Sequence, residues 1–394
     1  MRKTLVSATA ALAFAAFATP SLAAKIVLND LGGVTPGTDA YQGFSIAAAF
    51  WGARLTNNVT INLDVGFQQL GPNILGQTGS NSAVVSIEQV KGQLLSGGNS
   101  QLDAIAVANL SSLTPGAYGV GALDVITSGY TLANGAGVNT GLRVFDGDLS
   151  ANNSFLDANT ANLKALGFGG FGNAADGQVT FSNQFAFDFN PADGISAGSI
   201  DFLSVAIHEI GHALGFVSGV DTYDYFGGPN GPMGSSTLYN LNDYAIASVL
   251  DLYRYSAGNP AGLGGGTQLD WSVGSAGFFS IDGQNPYEGG YFSTGRYNGD
   301  GRQASHWKDN LGLGQMDPTI SYGAMGIVTS LDLAAMDAIG WNIDYDVFNS
   351  GRTFSTKEIY LSAVPEPATW AMMIAGFFMA GGAMRRRRRN PALA

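Results

Sequence analysis

His208-Glu209-Ile210-Gly211-His212-Ala213-Leu214-Gly215 lies inside an apolar run that begins near Ser199. Ala206, Ile207, Ile210, Ala213 and Leu214 recur at packing positions, so the run reads as a helix. Two histidines four positions apart on a helix stand one turn above each other on the same face. His208 and His212 can therefore grip one zinc ion, and Glu209 can reach a water bound to it. The chain holds only three histidines, and two of them fall in this pattern. A helix with two incidental histidines is the bland alternative. Gly215 stands where the chain must turn sharply after the second ligand.

A catalytic zinc takes three protein ligands and keeps one position for water. The candidates for the third are His306, Asp221 or a glutamate. Glu288 lies in a Gly-rich turn region and Glu358 near the tail, neither on a convincing helix. Asp221 is close in sequence and reaches back only with an altered loop. Imidazole is a preferred donor for catalytic zinc, which favours His306. A satisfied structural histidine is the alternative for that residue.

Both ends read as processing segments. Arg2 and Lys3 precede an apolar run from Leu5 to Phe17, and Pro20-Ser21-Leu22-Ala23-Ala24 supplies small residues for cleavage. That is the pattern of a secretory signal peptide, residues 1–24, processed after Ala23 or Ala24. At the other end Pro365-Glu366-Pro367 leads into an apolar run from Ala368 to Met384 and then five arginines, Arg385 to Arg389. The run is about the minimum length that spans a bilayer, and the arginines would stay on the cytoplasmic side. Without both ends the chain keeps eleven Lys and Arg against twenty-nine Asp and Glu, a net charge of −18. So acidic a surface argues against nucleic acid and against electrostatic binding to anionic lipid. Zero cysteines exclude a disulfide framework and a thiol that blocks zinc.

Between the ends, Lys25–Leu28 reads as a first strand and Phe44–Leu55 as a helix. Val59–Phe67 alternates with Val59, Ile61, Leu63 and Val65 on one face, as a half-buried strand does. Val84–Leu95 and Asn159–Leu166 read as helices, Ala104–Ala108 and Leu142–Phe145 as short strands. Val179–Phe189 reads as one or two strands turning at Ser182-Asn183, with Phe185, Phe187 and Phe189 as core. Residues 217–305 form a Gly-, Asn-, Tyr- and Ser-rich insertion with its own structure, including a helix at Tyr244–Tyr253. Ser330–Ile339 is a final helix, with Thr329 and Asp332 as a capping box and Gly340 as its stop. A short closing strand and a linker at 349–364 follow.

Two resemblances rest on these residues. The order Pro365-Glu366-Pro367, Trp370-Ala371, apolar run, arginines resembles the PEP-CTERM sorting tails of Gram-negative bacteria, of the PEPxxWA type. It implies that 365–394 is a transit signal, cut near Pro365 by a sorting machinery, and that the rest reaches the cell surface or beyond. A permanent anchor is the simpler alternative. The second resemblance joins HExxHxxG to Ser305-His306-Trp307, Gly314-Gln315-Met316-Asp317-Pro318 and Asp337-Ala338-Ile339-Gly340-Trp341. These residues, in this order around a long insertion, resemble the leishmanolysin-like metzincins over roughly residues 178–341. In metzincins with the compact motif the third ligand stands ten residues after the first histidine, where this chain has Ser218. The resemblance implies that His208, His212 and His306 ligate zinc, that Glu209 is the catalytic acid/base, and that Met316 forms a turn beneath the metal. Met325 is the weaker candidate for that floor.

The fold class expected is α+β. It would comprise a catalytic domain at 25–348, in which an N-terminal subdomain (25–216) joins a twisted, mostly parallel sheet to the active-site helix. An irregular C-terminal part (306–348) would carry the third ligand, the Met-turn and the closing helix. Leishmanolysins proper are rich in disulfides and this chain has none, so substrate preference is not carried over. The expected activity is zinc-dependent hydrolysis of a protein or peptide substrate, with Glu209 moving the proton. Tyr322 is a candidate for an added hydrogen bond, though packing at the cleft edge suits it better. Rivals are a surface protein with a structural zinc, closed by four ligands, and a calcium-stabilised module using turns such as Asp188–Gly194 and Asn298–Gly301.

Overall fold

A computed structural model of the chain describes residues 23–258, 260, 266–364 and 377–378. The expected signal peptide and sorting segment lie outside the described residues, apart from 23, 24, 377 and 378. No helix of the described residues is long and apolar enough to cross a membrane.

The chain is a mixed α/β structure built from small sheets and helices. Its largest sheet has four strands. Lys25–Gly32 runs parallel to Thr60–Gln68, which runs parallel to Gly177–Ser182. Gly76–Ser80 closes the sheet as an antiparallel edge on Gly177–Ser182. Ile61, Leu63 and Val65 are fully buried on one face, as the alternation in Thr60–Gln68 requires. The helix Asp39–Arg54 and the helix Phe202–Ala213, which carries both motif histidines and is called the site helix below, pack against each other beside that face. Phe44, Phe67, Phe181, Phe187, Phe189 and Phe202 meet there, mostly edge-on or tilted, so Phe187 and Phe189 pack against the core as expected, whereas Phe185 is half-buried and stands outside that cluster of described residues.

Four stretches differ from the sequence reading. Ala104–Ala108, read as a strand, lies in the helix Gln101–Ala108. Ser100 and Asp103 cap it reciprocally, and Leu102 and Ala106 bury one turn apart, so the cap outweighs the short apolar run. Val84–Leu95 divides into a strand, Ser82–Ser86, and a helix, Ile87–Gly97, at a second capping box on Ser86. Tyr244–Tyr253 is no α-helix: only Leu250–Tyr253 winds, as a 3-10 turn. Its backbone is engaged otherwise, since Ala247 O accepts from the distant Asp157 N at 2.9 Å, and Ser248 and Asp251 cap the short turn from within the stretch, Ser248 N donating to the Asp251 carboxylate at 2.8 Å. The 349–364 stretch, expected as a linker, contains a helix, Thr356–Ala363, that packs on Asp39–Arg54. Ser355 and Glu358 cap it, Ile359 enters the core, and Thr356 Oγ1 donates to Asp201, the N-cap of the site helix.

The 217–305 insertion has its own small sheet, Thr267–Leu269, Arg254–Ala257 and Phe278–Phe279, and shares one apolar core with the rest. The final helix spans Ser330–Ala338 with the expected Thr329/Asp332 capping box.

Candidate metal centre

The site helix starts on Asp201, whose carboxylate accepts from Ser204 N at 3.1 Å. Every residue from Phe202 to Ala213 except His208 is buried. Such a helix needs its last carbonyls satisfied from outside. Asn159 Nδ2 donates to His212 O (2.9 Å) and Trp341 Nε1 to Leu214 O (2.9 Å). Gly215 then takes φ +121°, a backbone conformation that side chains resist, and the chain leaves the helix.

His306 comes to this helix from the far end of the insertion. The Nε2 atoms of His208, His212 and His306 form a triangle with edges of 3.0, 3.1 and 3.2 Å. Each ring's other nitrogen faces a backbone carbonyl: His208 Nδ1 meets Gln315 O at 2.8 Å, His212 Nδ1 meets Phe216 O at 2.7 Å and His306 Nδ1 meets Gln303 O at 3.2 Å. A carbonyl only accepts, so each Nδ1 carries the hydrogen and each Nε2 of a neutral ring presents a bare lone pair. Burial disfavours the imidazolium at all three. It drives His212 down to about 3, with the charge of His208 adding to the effect, and holds His208 and His306 below the ordinary histidine range. Three lone pairs converging without a proton between them repel one another unless a cation sits among them. Nitrogen donors about 3.3 Å apart suit a tetrahedral ion with bonds of about 2.0–2.1 Å, close to the edges found. The residues present therefore fit a divalent ion of the kind that neutral imidazoles favour. Among the described residues this is the one group of three or more His, Cys, Asp or Glu donors close enough to share an ion.

Glu209 is buried, and its carboxylate lies against the edge strand Gly76–Ser80. Thr78 Oγ1 stands 2.8 Å from both Glu209 O and Glu209 Oε2. Gly76 leaves room for the carboxylate: a Cβ there would lie 2.9 Å from Glu209 Oε1. Burial raises the Glu209 carboxyl to about 7, against the lowering effect of the Thr78 hydroxyl.

Met316 is fully buried under the helix between the two motif histidines, where a Cβ on Gly211 would lie 2.7 Å from its sulfur. Met325 is 37% exposed and Tyr322 57% exposed, so neither underlies the histidines. The turn that carries Met316 is pinned from both sides. Gln315 Nε2 donates to Ser204 O (2.9 Å) on the site helix, and Trp307 N donates to Met316 O (3.0 Å).

Asp221, the alternative ligand, is not in the triangle. It accepts from Ala304 N (2.7 Å) and Ser305 N (3.1 Å) and so holds the segment that delivers His306; burial raises it to about 6. Ser218 is likewise engaged elsewhere, its hydroxyl donating to Asp251 at 2.6 Å. Glu288 accepts from Ser330 Oγ and Glu358 caps the Thr356–Ala363 helix. In the acidic turns considered for calcium, the Asp188 carboxylate accepts from Asn190 N and Ser196 N, and Asn298 is tied to Asp224. Sequence reasoning missed Thr78, Asn159 and the bridging part of Gln315. These act through contacts 53 to 131 residues apart, and no local pattern marks them. No protein-family model, curated protein or solved structure matches the chain.

Proposed function

We propose that the chain is an exported zinc endopeptidase of the leishmanolysin-like metzincin type. What supports this most is the convergence of three neutral imidazole donors, and no fourth donor among the described residues, on a helix that also carries a buried glutamate. A structural zinc is ordinarily closed by four protein ligands; three leave a position for water, as catalytic sites do. His208, His212 and His306 would hold the ion. When bound, zinc supplies a water acidic enough to attack near neutral pH and a Lewis acid for the scissile carbonyl.

Glu209 handles the proton. Its buried carboxyl, held by Thr78, is placed on the ligand-bearing helix turn to take a proton from the attacking water and give it to the leaving amine. Thr78 fixes the carboxylate's direction. Among the described residues the outer edge of Gly76–Ser80 pairs with no other strand, so an extended peptide can add to it as a further strand beside Glu209. The pinned turn under Gly211 supplies the soft, apolar support expected of a Met-turn. Export and sorting follow the reading of residues 1–24 and 365–394, and the substrate is a protein or peptide outside the cell.

Metal analysis and casein hydrolysis on two variants test the proposal. Glu209→Gln is expected to keep one zinc per chain and to lose about 10²–10⁴-fold in rate. His306→Ala is expected to lose both zinc and activity. Wild-type cleavage by Glu209→Gln would overturn the mechanism, and undiminished zinc in His306→Ala would overturn the ligand set.

A further inference from the structure

Among the carboxylates of the described residues that have no cation within salt-bridge distance, two lie directly behind the histidine triangle: Asp332, buried on the final helix, and Asp221, half-buried in the insertion. Each is bonded to the peptide unit that receives an imidazole N–H. Asp332 Oδ1 accepts from Met316 N at 3.1 Å, and the carbonyl of that same peptide unit, Gln315 O, faces His208 Nδ1 at 2.8 Å. Asp221 Oδ1 accepts from Ala304 N at 2.7 Å, and the carbonyl of that unit, Gln303 O, faces His306 Nδ1 at 3.2 Å. The third ligand differs. His212 Nδ1 meets Phe216 O, and the N–H of that peptide unit, Val217 N, donates to the neutral carbonyl of Gly215 at 2.8 Å.

We propose that Asp332 and Asp221 are positioning residues that act on His208 and His306 through single peptide bonds, as carboxylate–peptide–imidazole relays. A peptide unit is conjugated from its nitrogen to its oxygen. A carboxylate on its N–H pushes electron density toward its oxygen, and hydrogen bonds in such a chain strengthen one another. The more negative carbonyl pulls harder on Nδ1–H and makes Nε2 the better donor. Carboxylates that meet a metal-bound histidine directly do the same, fixing its tautomer and raising its basicity. Here the carboxylates stand one peptide unit further out.

The anchoring of both carboxylates suits this role. Asp332 Oδ1 also accepts from Trp307 Nε1 (2.8 Å), next to His306, and Oδ2 accepts from Gln315 N (2.8 Å) and Thr329 N (2.8 Å). A helix cap needs only the Thr329 contacts. The other three donors belong to the segments that bring the Met316 turn and His306 to the site helix. Two of the three ligands are thus tuned by charge and one is not, which makes His212 an internal control.

The inference rests on the proposed metal site but not on peptide hydrolysis. The test therefore reads metal binding: affinity by competition with a chromophoric chelator, and the imidazole N–H resonances of the Co²⁺-loaded protein. Asp332→Asn and Asp221→Asn each keep one acceptor oxygen, which can stay on Met316 N or Ala304 N, and replace the other oxygen and the charge with an NH2 group. Each is expected to weaken Zn²⁺ binding by about 10–100-fold, the usual effect of losing an outer partner of a metal histidine. Asp332→Asn should move the His208 resonance and Asp221→Asn that of His306, with His212 unmoved in both. Thr329→Ala, which removes a capping hydroxyl but leaves the charge, should leave affinity and resonances unchanged. Should one Asn variant fail to fold, the other tests the same relay on a different ligand. Wild-type affinity in a folded Asn variant would overturn the relay, as would equal movement of all three resonances or a Thr329→Ala effect as large as that of Asp332→Asn. A wild-type chain that binds neither ion would instead overturn the metal site itself.

Discussion

Replacing Gly211 with alanine tests the packing that supports the histidines. The new Cβ would stand 2.7 Å from Met316 Sδ, 3.2 Å from Met316 Cε and 3.6 Å from Trp51 Cζ2. Met316 is fully buried and its backbone is tied at both ends, so its side chain has little space into which to retreat. Overfilling a packed core costs about 1–3 kcal/mol. Alanine in a helix interior gains about 1 kcal/mol over glycine. The difference is a net loss of about 1 kcal/mol, or a fall in melting temperature of about 2 °C or less in a domain larger than 250 residues. Met316→Ala alone leaves a hole and costs about 2–5 kcal/mol. In the double variant the alanine at 211 no longer meets the sulfur, so the two losses should fall short of additive by about 0.5–3 kcal/mol. Thermal unfolding of the four metal-free proteins, followed by circular dichroism, measures the cycle. A Gly211→Ala protein more stable than wild type, with no coupling to position 316, would mean that helix propensity alone operates and Met316 is not beneath this turn.

Three further outcomes follow from particular contacts. Thr78→Val removes the hydroxyl that lowers the Glu209 carboxyl, so the acid limb of kcat/KM should move to higher pH; an unmoved limb refutes the contact. Burial, then the charge of Asp103, raises Asp337 to about 7 against the Ser100 hydroxyl. The native state thus keeps a proton that the unfolded chain releases near pH 4, and stability falls as pH rises through this window. Asp337→Asn should flatten that fall in the urea midpoint of the metal-free protein, and an unchanged slope refutes the assignment. Compared with a chain ended after Val364, one ended after Ser350 exposes what Ile359 covers, a loss of about 1.5–3 kcal/mol. Equal midpoints would return residues 351–364 to the status of a linker.

How much of this was legible depends on the range over which each signal acts. His208, Glu209 and His212 could be read because a helix turns the spacing of four into a shared face, and the apolar run around them specified the helix. His306 could be selected because the chain offers one other imidazole, a matter of inventory rather than geometry. Thr329 and Asp332 were legible as a capping box, again a local device. Their spacing could not reveal that the same carboxylate also holds Trp307, Gln315 and Met316, since those donors arrive only when the chain folds. Asp221 shows the converse. Its nearness to the motif and its ionisable side chain made it a candidate ligand. In the fold the 220–226 helix turns it toward the backbone at 304–305, and it holds the segment that brings His306 to the triangle instead of joining the triangle itself. Tyr244–Tyr253 failed for a related reason: periodicity records neither the distant Asp157 N that Ala247 O meets nor the Ser248–Asp251 cap that starts a shorter turn inside the stretch. A single sequence therefore exposes the atoms that would meet a metal more readily than the groups that hold those atoms. The holding is done largely by backbone N–H and C=O groups, which every residue possesses and no motif records. For this chain the charges that matter beyond the triangle are to be sought along the peptide bonds behind His208 and His306, not among the residues next to them in sequence.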